Sequence, residues 1–288
     1  MKSAIDALDS GESAQKPKKI YSLGPLIHNQ SALDRLKEKG LLILQENQIQ
    51  SLDKDCLVIV RAHGVSPLVL DRIKKTGARL VDATCPRVAL SQRRAAEFSA
   101  KGMFVILAGD KGHAEVKAVE GSAVCASGGQ NDSCKKEAGG RFILVQNAME
   151  AEGLSLFPQM KNNAVLLSQT TFSPEEFKKI SAILEKKIEG LKIFDTICPA
   201  TGERQKALLD LSKKVDALVV VGGKKSANSL RLFELAKSVC KAAYFVESAE
   251  DLPDDFGGGK IIGLAAGASS PDFVIDQVEQ KILEMPSV

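Results

Sequence analysis

No apolar run in the 288 residues approaches the roughly 20 needed to cross a bilayer, so no membrane-spanning helix is expected. Charge of one sign is not in excess: 39 Lys and Arg stand against 36 Asp and Glu. That balance argues against a nucleic-acid or membrane-surface protein, which would carry a basic stripe. The first eleven residues include Asp6 and Asp9 and have no apolar core; no signal peptide is expected, and a reducing cytosol is the default. The six cysteines include no C-x-x-C pair, which argues against a zinc ribbon or a thioredoxin-like site. A disulfide scaffold does not suit a cytosolic chain of this length either. Histidine is scarce, with only His28, His63 and His113.

What remains is an ordinary globular profile, 44% hydrophobic and 26% charged, with room for two or three domains. Short apolar, β-branched runs predict strands at 19–23, 41–44, 56–62, 79–82, 103–108, 141–146, 164–168, 192–195, 217–221, 243–247 and 260–264. Helical patterns fall between them. Ser66-Pro67 and Ser173-Pro174 read as capped helix starts, Glu176 completing a capping box and Gly190 closing that helix. Residues 204–215, 229–241 and 271–285 also read as helical. Alternating strands and helices predict parallel sheets in an α/β fold. Residues 126–140, rich in Gly, Ser, Asn and Lys, read as a surface loop that takes Cys125 and Cys134 away from any core chemistry. Cys56 and Cys240 read as buried packing residues.

One internal echo stands out: Asp82-Ala83-Thr84-Cys85-Pro86 and Asp195-Thr196-Ile197-Cys198-Pro199 share the pattern D-x-x-C-P, 113 residues apart. Each follows a predicted strand and leads into a helix, as expected of repeated α/β units that each present a cysteine at a strand's carboxyl end. The three histidines also follow predicted strands, where open α/β sheets bind ligands. Gly222-Gly223-Lys224-Lys225-Ser226-Ala227-Asn228-Ser229 and Ala266-Gly267-Ala268-Ser269-Ser270 each follow a strand and open a helix. Their free N–H groups and hydroxyls suit a phosphate. Neither is a Walker loop, since that motif would need glycine at Leu218 and Ser or Thr at Lys225. Ser168-Gln169-Thr170-Thr171 places hydroxyls at another strand end. Thiolates suit iron–sulfur or zinc chemistry, histidines and serines a diphosphate, and a carboxyl group such as Glu115 proton delivery.

These pieces together resemble the 4-hydroxy-3-methylbut-2-enyl diphosphate reductase family. The matching segments, in the family's order, are G-P-L-I-H-N at 24–29, R-A-H-G-V at 61–65, D-A-T-C-P at 82–86, G-H-A-E-V at 112–116, S-Q-T-T at 168–171, D-T-I-C-P-A-T at 195–201 with R-Q at 204–205, S-A-N-S at 226–229 and A-G-A-S at 266–269. The resemblance implies three α/β lobes related by pseudo-threefold symmetry around a [4Fe–4S] cluster, here 1–84, 85–195 and 196–288. It implies that Cys85 and Cys198 are cluster ligands. It implies that His28, His63, His113, Ser226, Asn228 and Ser269 hold the diphosphate, and that Glu115 and Thr170 handle the substrate hydroxyl and its proton. The implied reaction is reductive dehydration of the allylic alcohol to isopentenyl and dimethylallyl diphosphate, with electrons from a ferredoxin or flavodoxin.

The chain departs from the family's pattern at its start. The family opens G-F-C-x-G-V-x-x-A-I, and Met1 aligns with the valine, so the first cluster cysteine would lie three residues before Met1. A start read too late is the expectation, with a trimmed chain or a degenerate paralogue as alternatives. The 288 residues alone are then expected to hold a cluster poorly and to act weakly. Ala227 replaces a serine of S-S-N. Two other readings of the same residues are a zinc hydrolase built on the three histidines and a cluster-free diphosphate-binding remnant without catalysis.

Overall fold

The computed structural model describes residues 17–127, 141–253 and 261–285. The expected loop at 126–140 lies almost wholly outside them, as does Cys134. Three small sheets form. The first contains β1 (Lys19–Leu23), β2 (Leu41–Leu44), β3 (Cys56–Val60) and β4 (Arg79–Asp82), in the order β2-β1-β3-β4. The second contains β5 (Phe104–Ala108), β6 (Phe142–Val145), β7 (Ala164–Ser168) and β8 (Lys192–Ile193), in the order β6-β5-β7-β8. The third contains β9 (Ala217–Val221), β10 (Ala242–Val246) and β11 (Ile262–Ala266), in the order β10-β9-β11. The pairings of β3 with β1 and β4, of β5 with β6 and β7, of β7 with β8 and of β9 with both neighbours are all parallel.

Helices connect these strands: α1 (Gln30–Glu38), α2 (Pro67–Lys75), α3 (Pro86–Ala100), α4 (Ala114–Ala126), α5 (Ala148–Gly153), α6 (Pro174–Lys187), α7 (Pro199–Ser212), α8 (Ala227–Val239) and α9 (Asp272–Glu284). By contacts the chain forms two compact units. One contains residues 25–41 and the chain from Pro199 onward, with the third sheet; the other contains β1 and Leu42–Cys198, with the first two sheets.

The runs that read as strands do so because they are covered on both faces. Every residue of β5, β7 and β9 is buried, as expected of central strands in helix-covered parallel sheets. Alternation divides them between two cores. Phe104 and Ile106 face Ile180 and Leu184, whereas Val105 and Leu107 face Val116 and Val119. Burial of each such side chain contributes about 1.5–3 kcal/mol.

Several local expectations shift. Residues 262–266, not 260–264, form β11, because that strand takes its register from β9, with Ile262 opposite Ala217 and Ala266 opposite Val221. Helix α7 starts at Pro199, five residues before the expected start. Ser173 caps α6 as expected, its Oγ accepting from the Glu176 N–H at 3.3 Å. Glu176 completes no box: its Oε1 accepts from the Ala148 N–H at 2.7 Å and so supports the start of α5. Cys125 lies on α4 rather than in a loop, and Cys240, at the end of α8, packs against the core of the third sheet but is only half-buried.

The far end of α5 depends on one side chain. Lys187 Nζ donates to the carbonyl oxygens of Ala151 at 3.1 Å, Glu152 at 2.5 Å and Leu154 at 3.0 Å. Replacing it by methionine keeps the apolar stem and leaves three acceptors without this donor. Lys187→Met is expected to cost about 1–3 kcal/mol, measured as a lower denaturant midpoint at unchanged slope.

Candidate active site

Each sheet has one point where its strand order reverses, between β1 and β3, between β5 and β7, and between β9 and β11. Open α/β sheets bind ligands outside the carboxyl ends of the strands at such points. The chain leaving these six strands carries His28 after β1, His63 after β3, His113 and Glu115 after β5, Thr170 after β7, Ser226 and Asn228 after β9, and Ser269 after β11. Every expected ligand-binding or proton-handling residue therefore follows a strand that flanks a reversal. The two cysteines instead follow edge strands, Cys85 after β4 and Cys198 after β8.

In the unit with the first two sheets, Glu115 and Thr170 come together. Glu115 is 1% exposed. Its Oε1 accepts from the Thr170 N–H at 2.7 Å and its Oε2 from the Thr170 hydroxyl at 2.7 Å. The carboxyl group is thereby held by a backbone and a side-chain donor of the same residue, 55 positions away. His113 caps α4, its Nδ1 accepting from the Glu115 N–H at 3.2 Å. In the neutral ring that contact leaves Nε2 as the protonated, donating nitrogen. His63 meets His113 edge to face, with ring centroids 5.2 Å apart and planes at 85°. Two imidazoles beside a buried carboxyl group and a hydroxyl can bind an anionic oxygen and deliver a proton.

The D-x-x-C-P echo is structural as well as sequential. Asp82 Oδ1 accepts from the Thr84 N–H at 3.0 Å, and Asp195 Oδ1 from the Ile197 N–H at 2.9 Å. Each aspartate thus closes a turn two residues on. The Cys85 N–H then donates to Ala62 O at 2.9 Å and the Cys198 N–H to Thr170 O at 2.8 Å. Each cysteine is tied to the segment after the neighbouring strand, next to His63 in one case and at Thr170 in the other. Both thiols are free and half-buried, and both directly precede a helix that begins with proline.

The other cysteines differ. Cys56 is in the core of the first sheet, donates from Sγ to Asp53 Oδ1 at 3.2 Å, and burial pushes its thiol pKa up. Among the described residues no three His, Cys, Asp or Glu side chains gather into a metal-binding group. The thiols of Cys85 and Cys198, each free and half-buried after a strand, are soft donors of the type that iron and sulfide take.

In the other unit, the residues expected to hold an anion are built on very close backbone approaches. A Cβ on Gly223 would come within 1.3 Å of the His28 carbonyl oxygen, so only glycine lets these segments touch. Asn29, the cap of α1, fixes the residue after His28 by donating from Nδ2 to Glu247 O at 2.8 Å. Ser226 caps α8, and Asn228 is buried two residues on with its Nδ2 unpartnered among the described residues. A buried amide donor at a helix start suits an incoming anion. Gly223→Ala is expected to displace the His28 segment and weaken binding of inorganic diphosphate at least tenfold by calorimetry.

Some contributors lie inside the motifs, with no role expected of them there. Gln169 is fully buried; its Oε1 accepts from the Asp110 N–H at 2.8 Å and its Nε2 donates to Thr171 Oγ1 at 2.9 Å. It joins the segment that presents His113 to the one that presents Thr170. Thr196 interlocks with Ser168, its N–H donating to Ser168 Oγ at 3.0 Å and its Oγ1 accepting from the Ser168 N–H at 2.9 Å. Arg61, beside His63 in sequence, lies over Gly24, and burial lowers its guanidinium pKa despite the opposing charge of Glu46.

A family model described as LytB protein matches residues 1–283. A curated protein of Treponema denticola named 4-hydroxy-3-methylbut-2-enyl diphosphate reductase is 43% identical over 277 residues, covering 95% of this chain and 90% of that one. A protein of the same name from Caldanaerobacter subterraneus is 35% identical over 283 residues, covering 98% and 92%. The solved structure of the E-1-hydroxy-2-methyl-but-2-enyl-4-diphosphate reductase from Plasmodium falciparum superposes with a TM-score of 0.81 over 99% of this chain and 84% of its own, at 24% identity, a likeness of fold. A second solved structure, of (E)-4-hydroxy-3-methyl-but-2-enyl diphosphate reductase, gives a TM-score of 0.65 at 29% identity over 98% and 94%. With its motifs at the strand ends and matches of this length and identity, the chain belongs to the LytB family.

Proposed function

We propose that this chain reduces 4-hydroxy-3-methylbut-2-enyl diphosphate to isopentenyl and dimethylallyl diphosphate. The observation that carries the proposal is the Glu115–Thr170 pair, a buried carboxyl group joined by two hydrogen bonds to a threonine at a neighbouring strand end. Loss of an allylic hydroxyl as water needs a proton at the departing oxygen, and a carboxyl group held beside a hydroxyl can supply it. Thr170 would hold the substrate hydroxyl and Glu115 would pass the proton. His28, His63, His113, Ser226, Asn228 and Ser269 would bind the diphosphate, which fixes the substrate without itself reacting. Cys85 and Cys198 would hold a [4Fe–4S] cluster as two of its ligands; when bound, it supplies electrons singly and Lewis acidity. Two electrons and two protons convert the alcohol to an alkene and water, the second proton entering at either end of the allyl unit. Three lobes with the bounds 1–84, 85–195 and 196–288, a cytoplasmic location, and a ferredoxin or flavodoxin as donor belong to the same reading. No helix among the described residues is long and apolar enough to cross a membrane.

The test is the fate of the substrate. Protein loaded with iron and sulfide without oxygen is incubated with the allylic diphosphate and a reduced viologen. The reductase reading expects both five-carbon diphosphates. Release of inorganic phosphate would instead favour a zinc hydrolase, and recovery of bound, unchanged substrate would favour a binding remnant.

A further inference from the structure

We propose that Ser229 is a positioning residue that turns the Ser226 hydroxyl into a hydrogen-bond donor toward the diphosphate. This rests on the reading of Ser226 as a diphosphate contact. Ser229 is fully buried in the first turn of α8, three residues after the capping Ser226. It addresses Ser226 twice: its N–H donates to Ser226 Oγ at 3.4 Å, and its own Oγ donates to the same atom at 3.1 Å.

A hydroxyl oxygen has two lone pairs and one proton to give. With both lone pairs engaged by Ser229, the Ser226 proton points away from Ser229 and is left to donate. An anionic oxygen needs donors, and a capping serine bound through its N–H contact alone could equally turn its second lone pair outward and repel the anion. The second hydrogen bond removes that choice before the ligand arrives. This is preorganisation, which lowers the cost of binding.

The same hydroxyl is held by its surroundings. A Cβ added to Gly267 would lie 2.0 Å from Ser229 Oγ, and one added to Gly222 would lie 2.4 Å from it. The segments after β11 and β9 therefore both press against this one oxygen, and neither leaves room for a larger residue. The turn after β11, closed by the Ser270 N–H donating to Gly267 O at 3.0 Å, includes Ser269. Ser229 is in contact with the hydroxyl-bearing segments that follow β9 and β11.

The test is a double-mutant cycle on the full chain, with calorimetric binding of inorganic diphosphate as the readout. Ser229→Ala removes one atom and keeps the helix. It is expected to weaken binding about 3- to 10-fold, the size of one net hydrogen bond. In a Ser226→Ala background the same change is expected to have almost no effect, because the hydroxyl it orients is gone. In turnover, Ser229→Ala is expected to raise KM by a similar factor with kcat within about twofold. Equal losses in both backgrounds, or a fall in kcat at constant KM, would mean Ser229 only packs the loops and would overturn the inference alone. If the unaltered chain does not bind diphosphate while Ser226→Ala leaves turnover intact, the diphosphate reading itself fails. Should Ser229→Ala fold poorly, Gly267→Ala reports on the same oxygen by pushing it off Ser226, and unchanged diphosphate binding there would likewise overturn the inference.

Discussion

Replacing Glu115 by glutamine is expected to lower kcat on the order of 10²- to 10⁴-fold, the usual contribution of a positioned acid or base. The structure makes this a clean substitution. Glutamine keeps a carbonyl oxygen to accept from the Thr170 N–H, now 2.7 Å from Oε1. The Thr170 hydroxyl, which now donates to Oε2, can turn and accept from the new amide instead. Both contacts survive with one reversed, so the melting temperature is expected to stay within a few degrees. What is lost is the transferable proton. Glu115→Ala differs, because it leaves the Thr170 N–H buried without its acceptor, at a further cost of about 1–3 kcal/mol. Turnover within tenfold of the unaltered chain in Glu115→Gln would remove Glu115 from the proton path.

The second large effect concerns the cysteines. Cys85→Ser and Cys198→Ser are each expected to strip the protein of iron and sulfide and to abolish reduction. Loss of a ligand should exceed the roughly 10- to 100-fold loss that follows removal of a ligand's outer partner. The contrast that makes the measurement specific is Cys56→Ser. Cys56 is buried in β3, and burial holds its thiol in the protonated form, so that variant is expected to lose stability but keep its iron. Cys240, half-buried at the end of α8, is expected to behave in the same way. Iron retained in both Cys85→Ser and Cys198→Ser would contradict the assignment of these two thiols.

Why the sequence disclosed so much of this site is a matter of where the chemistry lies. Strands such as Ala164–Ser168 and Ala217–Val221 are wholly buried, so their apolar runs are unbroken and their ends are marked by the first polar residue. The residues expected to bind ligand begin at those marks. The D-x-x-C-P echo was legible because an aspartate that closes a turn and a proline that starts a helix are both required locally.

What was not legible depends on partners far away in the chain. Glu176 has the spacing of a capping box, yet its carboxylate serves Ala148, 28 residues earlier. The register of β11 is set by β9, and its Ala265-Ala266-Gly267 end resembles a loop until it is paired. Ser229, Gln169 and Thr196 are polar residues whose purpose is to hold another polar residue. A single sequence shows no difference between such a residue and an ordinary helix or turn position.

The central claim is that Cys85 and Cys198 contribute to an iron–sulfur site, and one measurement addresses it most directly. Iron, acid-labile sulfide and zinc are determined, without exposure to air, on the chain after reconstitution with iron and sulfide. Iron and sulfide in equal amounts are expected, falling sharply in Cys85→Ser and in Cys198→Ser. Zinc without sulfide, or a reconstituted chain that takes up neither iron nor sulfide, would contradict the account.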